Sequence, residues 1–339
     1  MQNEGKHMTK ILAMSDLYKK LNALGFDKSF IDEYGLPTWW NEELESSPIS
    51  VLEGISHVAD RLSLNLKSLL VEGEEPVFLP IPHTKFKHKQ YTEKEAPILS
   101  SKIASRVAKI VAKATQLRSL QIPSCPLKIR DEILTTNHQV NLDSILDYCW
   151  KQGISVVHFD MYPKNSRKFD GMIQRIDGQA VIVLSNANQN PSWIAFHLAH
   201  ELGHLAYEHI QEEIFFDEKI NKKSDDQEEK DANEFAIKLL LNNHDNFFGK
   251  QRFNAEQFAG KIQNVVAKNP DIDPCALAFN YAKYNDKYYP LAQETAKELL
   301  QGRETGSAQK IINQCLKEHI KWDDLNDDDV DYLDVILGG

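Results

Sequence analysis

The sequence predicts an α+β protein in which a small sheet with a hairpin packs near a central helix. Two observations predict this class. Three strand-like runs lie close together between residues 154 and 185, and apolar residues at helical spacing dominate before and after them. A chain of 339 residues exceeds the usual size of one domain. We predict a helical N-terminal domain at 1–80, a central α+β domain with a basic leading helix at 81–245, and a helical C-terminal region with an acidic tail at 246–339.

Composition excludes several classes of protein. The chain is 42% hydrophobic and 26% charged, so it has enough apolar residues to form a core. Its net charge of −11 argues against a protein that coats nucleic acid without sequence preference. No run approaches 18 apolar residues and the N-terminus lacks a secretory pattern, so we expect no membrane partner. The four cysteines have no CxxC spacing and are typical of reduced, mostly buried thiols in a cytoplasmic protein.

The N-terminal 80 residues have seven Lys/Arg and thirteen Asp/Glu, whereas residues 81–130 have eleven Lys/Arg and two Asp/Glu. Within 101–120 the apolar residues predict a helix, and its four cations follow 4-3-4 steps that place them on one face: Lys102, Arg106, Lys109 and Lys113. Two interpretations remain open. The cations form either a solvated helix face or a surface that contacts nucleic-acid phosphates.

The central part shows its elements clearly. The pattern of apolar residues predicts a helix over 141–153. It predicts strands over 154–159, 170–176 and 179–185. Asp177-Gly178 between the last two strands is a strong signal for a two-residue hairpin. Asn190-Pro191-Ser192 then opens a helix that we expect to run through 209. The last eighteen residues contain seven aspartates and no basic residue, which predicts a tail that is mobile or lies against a basic surface.

The predicted central helix carries an HExxH motif. His200 and His204 are four residues apart, so both rings can point at one metal ion from the same helix face. Glu201 lies beside them, where it can hydrogen-bond a water molecule on the ion. Zinc lowers the pKa of such a water toward about 7, and the neighbouring carboxylate can take its proton. The rest of the helix is apolar, and a buried Glu201 would be costly without a metal nearby.

A third ligand is predicted on the next helix. In 228–241, Glu229 shares a face with small and apolar residues at i+3, i+4, i+7 and i+11, whereas Glu228, Asp231 and Glu234 fall on other faces. A single carboxylate at the top of an apolar face is the geometry expected of a metal ligand. Two histidines and one carboxylate suit Zn²⁺, although Mn²⁺ is an alternative.

These two segments, HELGHLAYEH and EEKDANEFAIKLLL, resemble the ImmA/IrrE family of HExxH metallopeptidases, whose pattern is HELGH followed by ExxANxFAxxLL. The resemblance covers roughly residues 100–245, and the Met-Pro usual after the second motif is replaced by Asn242-Asn243. It implies a zincin-like fold, one zinc ion held by His200, His204 and Glu229, and Glu201 as the general base. It also implies a protein substrate, in particular a helix-turn-helix repressor cleaved in a phage, mobile-element or stress response.

The N-terminal segment 50–76 is similar to the end of an XRE-type domain, which accompanies many of these peptidases. Direct DNA binding by this acidic domain is not expected. The basic stripe at 102–113 is then the better nucleic-acid candidate, with single-stranded DNA as an activator. We expect the substrate to lie as an extended strand against the hairpin.

Other residues near the motif have two interpretations each. His197 is expected to pack or cap rather than to approach the metal, and Glu208 and His209 are expected to be solvated. Tyr207 or a C-terminal tyrosine is a candidate for stabilising the oxyanion. Cys125 is either a buried structural thiol or an inhibitory ligand at the open metal position.

The sequence therefore predicts a cytoplasmic, zinc-dependent endopeptidase. Two other functions remain as alternatives. One is a DNA-binding regulator whose metal site is structural or sensory, and the other is an antitoxin-type protein that acts by stoichiometric binding.

Overall fold

The structure is a computed structural model that describes residues 13–80, 84–86, 98–164, 166, 169–209, 214–217, 226–242, 247–249, 251–283, 286–301 and 306–338. The N-terminal elements are α1 (Met14–Ala23), α2 (Lys28–Phe30) continued by a π-helical turn (Ile31–Gly35), a 3₁₀ turn (Glu42–Ser46), α3 (Pro48–Arg61) and α4 (Leu66–Leu70). They enclose a core of buried aliphatic and aromatic side chains, including Leu17, Phe26 and Ile55. The 3₁₀ turn is exposed and carries Glu42, Glu43 and Glu45.

The central elements are β1 (Thr84–Phe86), α5 (Ile98–Thr115), α6 (Pro126–Leu134), α7 (Leu142–Lys151), β2 (Ile154–His158), β3 (Gly171–Ile176), β4 (Gln179–Leu184), α8 (Pro191–Ala206), β5 (Ile214–Asp217) and α9 (Gln227–Leu241). The C-terminal helices are α10 (Ala255–Val266), α11 (Pro274–Lys283), α12 (Tyr289–Leu300), α13 (Ala308–His319) and α14 (Asp327–Leu337), with 3₁₀ turns at Asp286–Tyr288 and Trp322–Asp324. The predicted α+β class is confirmed.

The five strands form one mixed sheet in the order β1-β5-β3-β4-β2. β3 pairs antiparallel with β4, and β4 pairs parallel with β2. The predicted hairpin turn is present, because Asp177 and Gly178 both have positive φ, at 50° and 85°, as a type I′ turn requires. Every residue of β2 and β4 is buried, which indicates that both faces of this part of the sheet are covered.

Helices α5 and α8 cover opposite faces of the sheet. Gln179 of β4 donates to Thr115 of α5 and to Ser155 of β2, at 2.7 and 2.9 Å. Gly171 of β3 instead faces Glu201 of α8. In the register of the sheet, residues 179 and 171 point to different sides. The sheet therefore separates the buried helix α5 from the helix that carries the HExxH motif.

The four cations of α5, Lys102, Arg106, Lys109 and Lys113, do not form a continuous solvated face, because only Lys109 and Lys113 are exposed. Contact of these residues with nucleic-acid phosphates stays a prediction. Lys102 is buried and donates to the Leu79 carbonyl. Arg106 pairs with Asp60 of α3, and Lys113 pairs with Asp329 of α14. Lys109 is exposed. The reason is that Asp60 of α3 and Asp329 of α14 lie beside α5 and pair with two of its cations.

The acidic tail is a docked helix rather than a mobile segment. α14 buries its apolar residues Leu333 and Ile336, and Asp331 pairs with Arg61 and accepts from Thr38. The sequence predicted a tail that is mobile or lies against a basic surface. The structure shows the second, with Arg61 and Lys113 paired to acids of α14. In the part of the chain that the structure describes, none of the helices has the length and apolar character needed to cross a membrane.

Candidate metal centre

Helix α8 brings the HExxH motif into the interior. The helix starts at Pro191, and the side chain of Asn190 caps it by accepting from Ser192 N and Trp193 N. It ends at Ala206 rather than at the predicted 209. Thirteen of its sixteen residues are buried, because the sheet covers one side and α7, α9 and α11 contact the others. A polar motif in such a helix must therefore be matched by neighbouring groups.

His200, His204 and Glu229 converge in the structure. The Nε2 atoms of the two histidines are 3.0 Å apart, and the carboxylate oxygens of Glu229 lie 3.5 Å from His200 Nε2 and 3.3 Å from His204 Nε2. All three residues are buried. Among the described residues they form the group of His, Cys, Asp and Glu whose ligand atoms lie close enough together to hold one ion.

The donor set fits a divalent metal ion. Three ligands on a tetrahedral zinc, with bonds of about 2.0–2.1 Å, are separated from one another by about 3.3 Å, close to the observed separations of 3.0, 3.3 and 3.5 Å. Two imidazole nitrogens and a carboxylate also suit manganese. The geometry therefore supports a metal and does not select the element, and the assignment of these ligands stays a prediction.

His204 and Glu229 are held in the forms that bind a metal. Burial lowers the pKa of His204 to about 3, so its imidazole is neutral near pH 7. Burial alone would raise the pKa of the Glu229 carboxyl, but His200 and His204 hold it well below its usual range. A neutral imidazole and an ionised carboxylate are the ligand states that metal binding requires.

Glu201 lies against the first residue of β3. A Cβ atom built at Gly171 would be 2.0 Å from Oε1 of Glu201, so the close approach of strand and carboxylate depends on glycine at this position. Glu201 is fully buried and is adjacent in sequence to His200. Glu201 is thus a buried carboxylate on the helix that carries both histidines, and its role as general base stays a prediction. Nothing in the sequence pattern had indicated a role for Gly171.

Helix α9 supplies Glu229 because it packs closely on α8. A Cβ atom at Gly203 would lie 3.0 Å from Ala232 Cα and 3.1 Å from Phe235 Cβ, so the glycine inside the motif permits the contact between the helices. Asp226 caps α9 by accepting from Glu228 N. Glu229 is buried three residues after Asp226, whereas Glu228 and Asp231 are partly exposed and Glu234 is exposed. The predicted orientation of these four acids is the one observed.

His209 was predicted to be solvated; it is partly exposed, and its Nδ1 also lies 3.0 Å from Nδ1 of His204. Glu208 is exposed, as predicted. His197 is buried against the rings of Trp193 and Phe196, in keeping with the packing interpretation. Tyr207 packs on Phe235, and burial raises its pKa. Its role toward an oxyanion stays a prediction.

Cys125 does not match the predicted buried thiol, since it is exposed at the start of α6. It also lies outside the group of described residues whose ligand atoms converge, so the inhibitory ligand is not formed in this structure. The prediction failed because the proline after Cys125 starts a surface helix instead of holding the thiol inward.

The predicted docking of a substrate strand on the hairpin also needs correction. β4 pairs with β2 on one side of the hairpin, and β5 pairs antiparallel with β3 on the other, with Ile173 opposite Phe215. Both outer edges of the hairpin are thus paired. The Phe215 ring lies 4.4 Å from the His204 ring, so β5 runs beside the candidate metal centre.

Comparison with known proteins gives one family for this region. Residues 149–246 match the model of the IrrE N-terminal-like domain, a peptidase family. The match contains the hairpin, α8 and all of α9, and with them all four residues of the candidate centre. No curated protein matches the chain. Residues 149–246, less than half of the chain, are therefore similar to the IrrE N-terminal-like domain of a peptidase family.

Proposed function

We propose that this protein is a zinc-dependent endopeptidase that cleaves a partner protein. The convergence of His200, His204 and Glu229 at 3.0–3.5 Å inside a buried helix pair supports this proposal, together with the match to a peptidase family. In this proposal the three residues hold the ion and leave its remaining position facing Glu201. A structural zinc site would use four protein ligands, whereas a catalytic site keeps one position open.

A bound divalent ion would polarise the scissile carbonyl and make a water molecule acidic near pH 7. Glu201 then acts as general base and takes a proton from the attacking water. The water oxygen forms a bond to the carbonyl carbon, and the C–N bond breaks. Glu201 passes the proton to the departing amine nitrogen, so that one water is consumed and an acid and an amine are released.

The substrate that we propose is a helix-turn-helix repressor, cleaved in a phage-defence, mobile-element or stress response. This part of the proposal depends on the family resemblance of the two motifs. The cations of α5 give no support to activation by single-stranded DNA, since three of the four are engaged within the chain. The experiment therefore tests the effect of single-stranded DNA separately from cleavage itself.

The regulator alternative requires a surface that attracts phosphate. The exposed acids of the turn Glu42–Ser46 and the pairing of Arg106 with Asp60 disfavour it. The antitoxin alternative requires only tight binding without cleavage, and it is separated from the peptidase by the fate of the partner.

The test is proteolysis of a repressor encoded beside the gene, with wild type compared with Glu201→Gln and with and without single-stranded DNA. We expect zinc in both proteins and cleavage by the wild type alone. Equal binding of an intact partner by both proteins would favour the antitoxin function. Tight, steeply salt-dependent DNA binding without cleavage would favour the regulator.

A further inference from the structure

After helix α8 ends, the chain turns back over His204, the last proposed metal ligand of that helix. Tyr207 is the C-cap, Glu208 follows with φ at 54°, and His209 comes next. Glu208 N donates to Leu205 O at 3.2 Å and His209 N donates to His204 O at 3.1 Å. This pair of bonds is the Schellman motif, in which glycine usually occupies the left-handed position. Here glutamate occupies it, and the result is that residue 209 stands over residue 204.

The two imidazoles then meet through their Nδ1 atoms. His204 Nδ1 and His209 Nδ1 are 3.0 Å apart, while Nε2 of His204 faces Glu229 on the other side of the ring. A neutral imidazole that binds a metal through Nε2 carries its proton on Nδ1 and donates it to a neighbour. Metal-binding histidines almost always have such a partner, usually a carboxylate, a backbone carbonyl or a water.

We propose that His209 is a positioning residue, which accepts the Nδ1–H of His204 and so fixes the tautomer and the ring orientation in which Nε2 points at the metal. This inference rests on the proposed function, since it concerns the same centre. His209 is not itself a ligand in this arrangement. Its Nδ1 lies on the side of His204 away from Glu229, and it is outside the convergent group.

The way in which helix α8 ends places His209 as the hydrogen-bond acceptor for His204. When the proton of His209 is on Nε2, its Nδ1 has a lone pair that can accept a hydrogen bond. The backbone of His209 is held next to His204 by the hydrogen bond from His209 N to His204 O. The centre of the Tyr207 ring lies 5.5 Å from that of the His209 ring, so the two rings pack together. An asparagine at 209 can present its Oδ1 near the same point, whereas a phenylalanine keeps a ring and has no acceptor.

The test measures the zinc affinity of the full-length protein by competition with a chromophoric chelator. We expect His209→Phe to weaken zinc binding about 10- to 100-fold, and His209→Asn to return it to within a few-fold of the wild type. His138→Ala, at an exposed histidine in the loop between α6 and α7, is the matched control and should bind as the wild type does. Thermal unfolding of the metal-free proteins shows whether each variant is folded.

Zinc affinity of His209→Phe equal to that of the wild type would overturn the inference while leaving the metal centre intact. Equal weakening in His209→Phe and His209→Asn would also overturn it, because shape rather than the acceptor would then matter. In the zinc-loaded wild type, a long-range nitrogen–proton spectrum should show the His204 proton on Nδ1, and a proton on Nε2 would contradict the inference. Failure of the wild type to bind zinc would remove the proposed function and this inference together.

Discussion

At Gly171 the backbone of β3 passes so close to Glu201 that an added Cβ atom would lie 2.0 Å from Oε1. The carboxylate is fully buried and cannot move away without disturbing the residues around it. A methyl group at this position would therefore push the proposed general base out of place. The three proposed metal ligands come from α8 and α9 and would be affected less.

We expect Gly171→Ala to lower kcat/KM for a protein substrate about 100-fold, because misplacement of a catalytic group by about 1 Å has effects of this size. Zinc content should stay at one ion per chain. Gly260→Ala is the control, since a Cβ at that helix position meets no atom within 4 Å and should stabilise the protein by about 0.5–1 kcal/mol. Full activity in Gly171→Ala would contradict the placement of Glu201.

The two helices of the centre are joined at Gly203. A side chain there would meet Ala232 and Phe235 of α9 at 3.0–3.2 Å, so α9 sits as close to α8 as the backbone allows. Glu229 lies on the same helix, one turn before Ala232. The spacing of the three proposed ligands therefore depends on helix packing and not only on the motif.

We expect Gly203→Ala to lower the free energy of unfolding by about 1–3 kcal/mol, the usual cost of overpacking a core contact. It should also weaken zinc binding, because α9 and Glu229 must shift outward. Chemical denaturation measures the first effect and chelator competition the second. Loss of stability with unchanged zinc affinity would indicate that Glu229 is placed independently of this contact.

β5 occupies the edge of β3 that an extended substrate would use. It runs antiparallel to β3 from Ile214 to Asp217, and Phe215 is buried beside His204. An extended peptide adds to a sheet by pairing with the backbone of a free edge. Under the proposed function, a substrate that pairs with β3 has to replace β5.

We expect replacement of residues 214–217 by Gly-Ser-Gly-Ser to raise kcat/KM several-fold, because backbone pairing is weakened and the edge becomes available. Ile214→Val keeps the strand and is the control. A synthetic peptide with the sequence of residues 210–220 should inhibit the altered protein competitively, and a scrambled peptide should not. A folded variant with lower activity and no inhibition by the peptide would show that β5 is a permanent part of the enzyme.

Across the whole molecule, the C-terminal helix is tied to the N-terminal helices by ion pairs. Arg61 of α3 is buried and pairs with Asp331 of α14, and its guanidinium also donates to Leu36 O at 2.8 Å. Burial alone would raise the pKa of Asp331, but the hydrogen bonds from Thr38 and Arg61 have the larger combined effect and hold this pKa below its usual value. The pair links segments that are 270 residues apart in the chain.

We expect Asp331→Asn to destabilise the protein by about 3 kcal/mol near pH 7, since it leaves the Arg61 charge buried and unpaired. The folded pKa of Asp331 is lower than its unfolded value of about 4, so its contribution is present above pH 4 and is lost as the pH falls through the folded pKa. The difference in unfolding free energy between wild type and Asp331→Asn should therefore shrink below pH 4. Asp334→Asn, at an exposed site of the same helix, should show no such difference.

The parts of the centre that follow from local periodicity were predictable. The i, i+4 spacing places His200 and His204 on one face, the face argument identifies Glu229, and Asp177-Gly178 fixes the hairpin. The features that were missed depend on contacts distant in sequence or on an unusual backbone. Lys113 meets a carboxylate 216 residues away, β5 is a four-residue strand placed by pairing, and His209 depends on a glutamate in a conformation typical of glycine.

The most direct test of the metal centre is the zinc content and zinc affinity of the full-length wild type, Glu201→Gln and Glu229→Gln, measured after dialysis against zinc. We predict one zinc per chain in the wild type and in Glu201→Gln, and at least 100-fold weaker binding in Glu229→Gln, because a buried charged ligand is lost. A wild type that binds no zinc, or a Glu229→Gln variant that binds it equally well, would contradict the assignment of His200, His204 and Glu229 as the metal ligands.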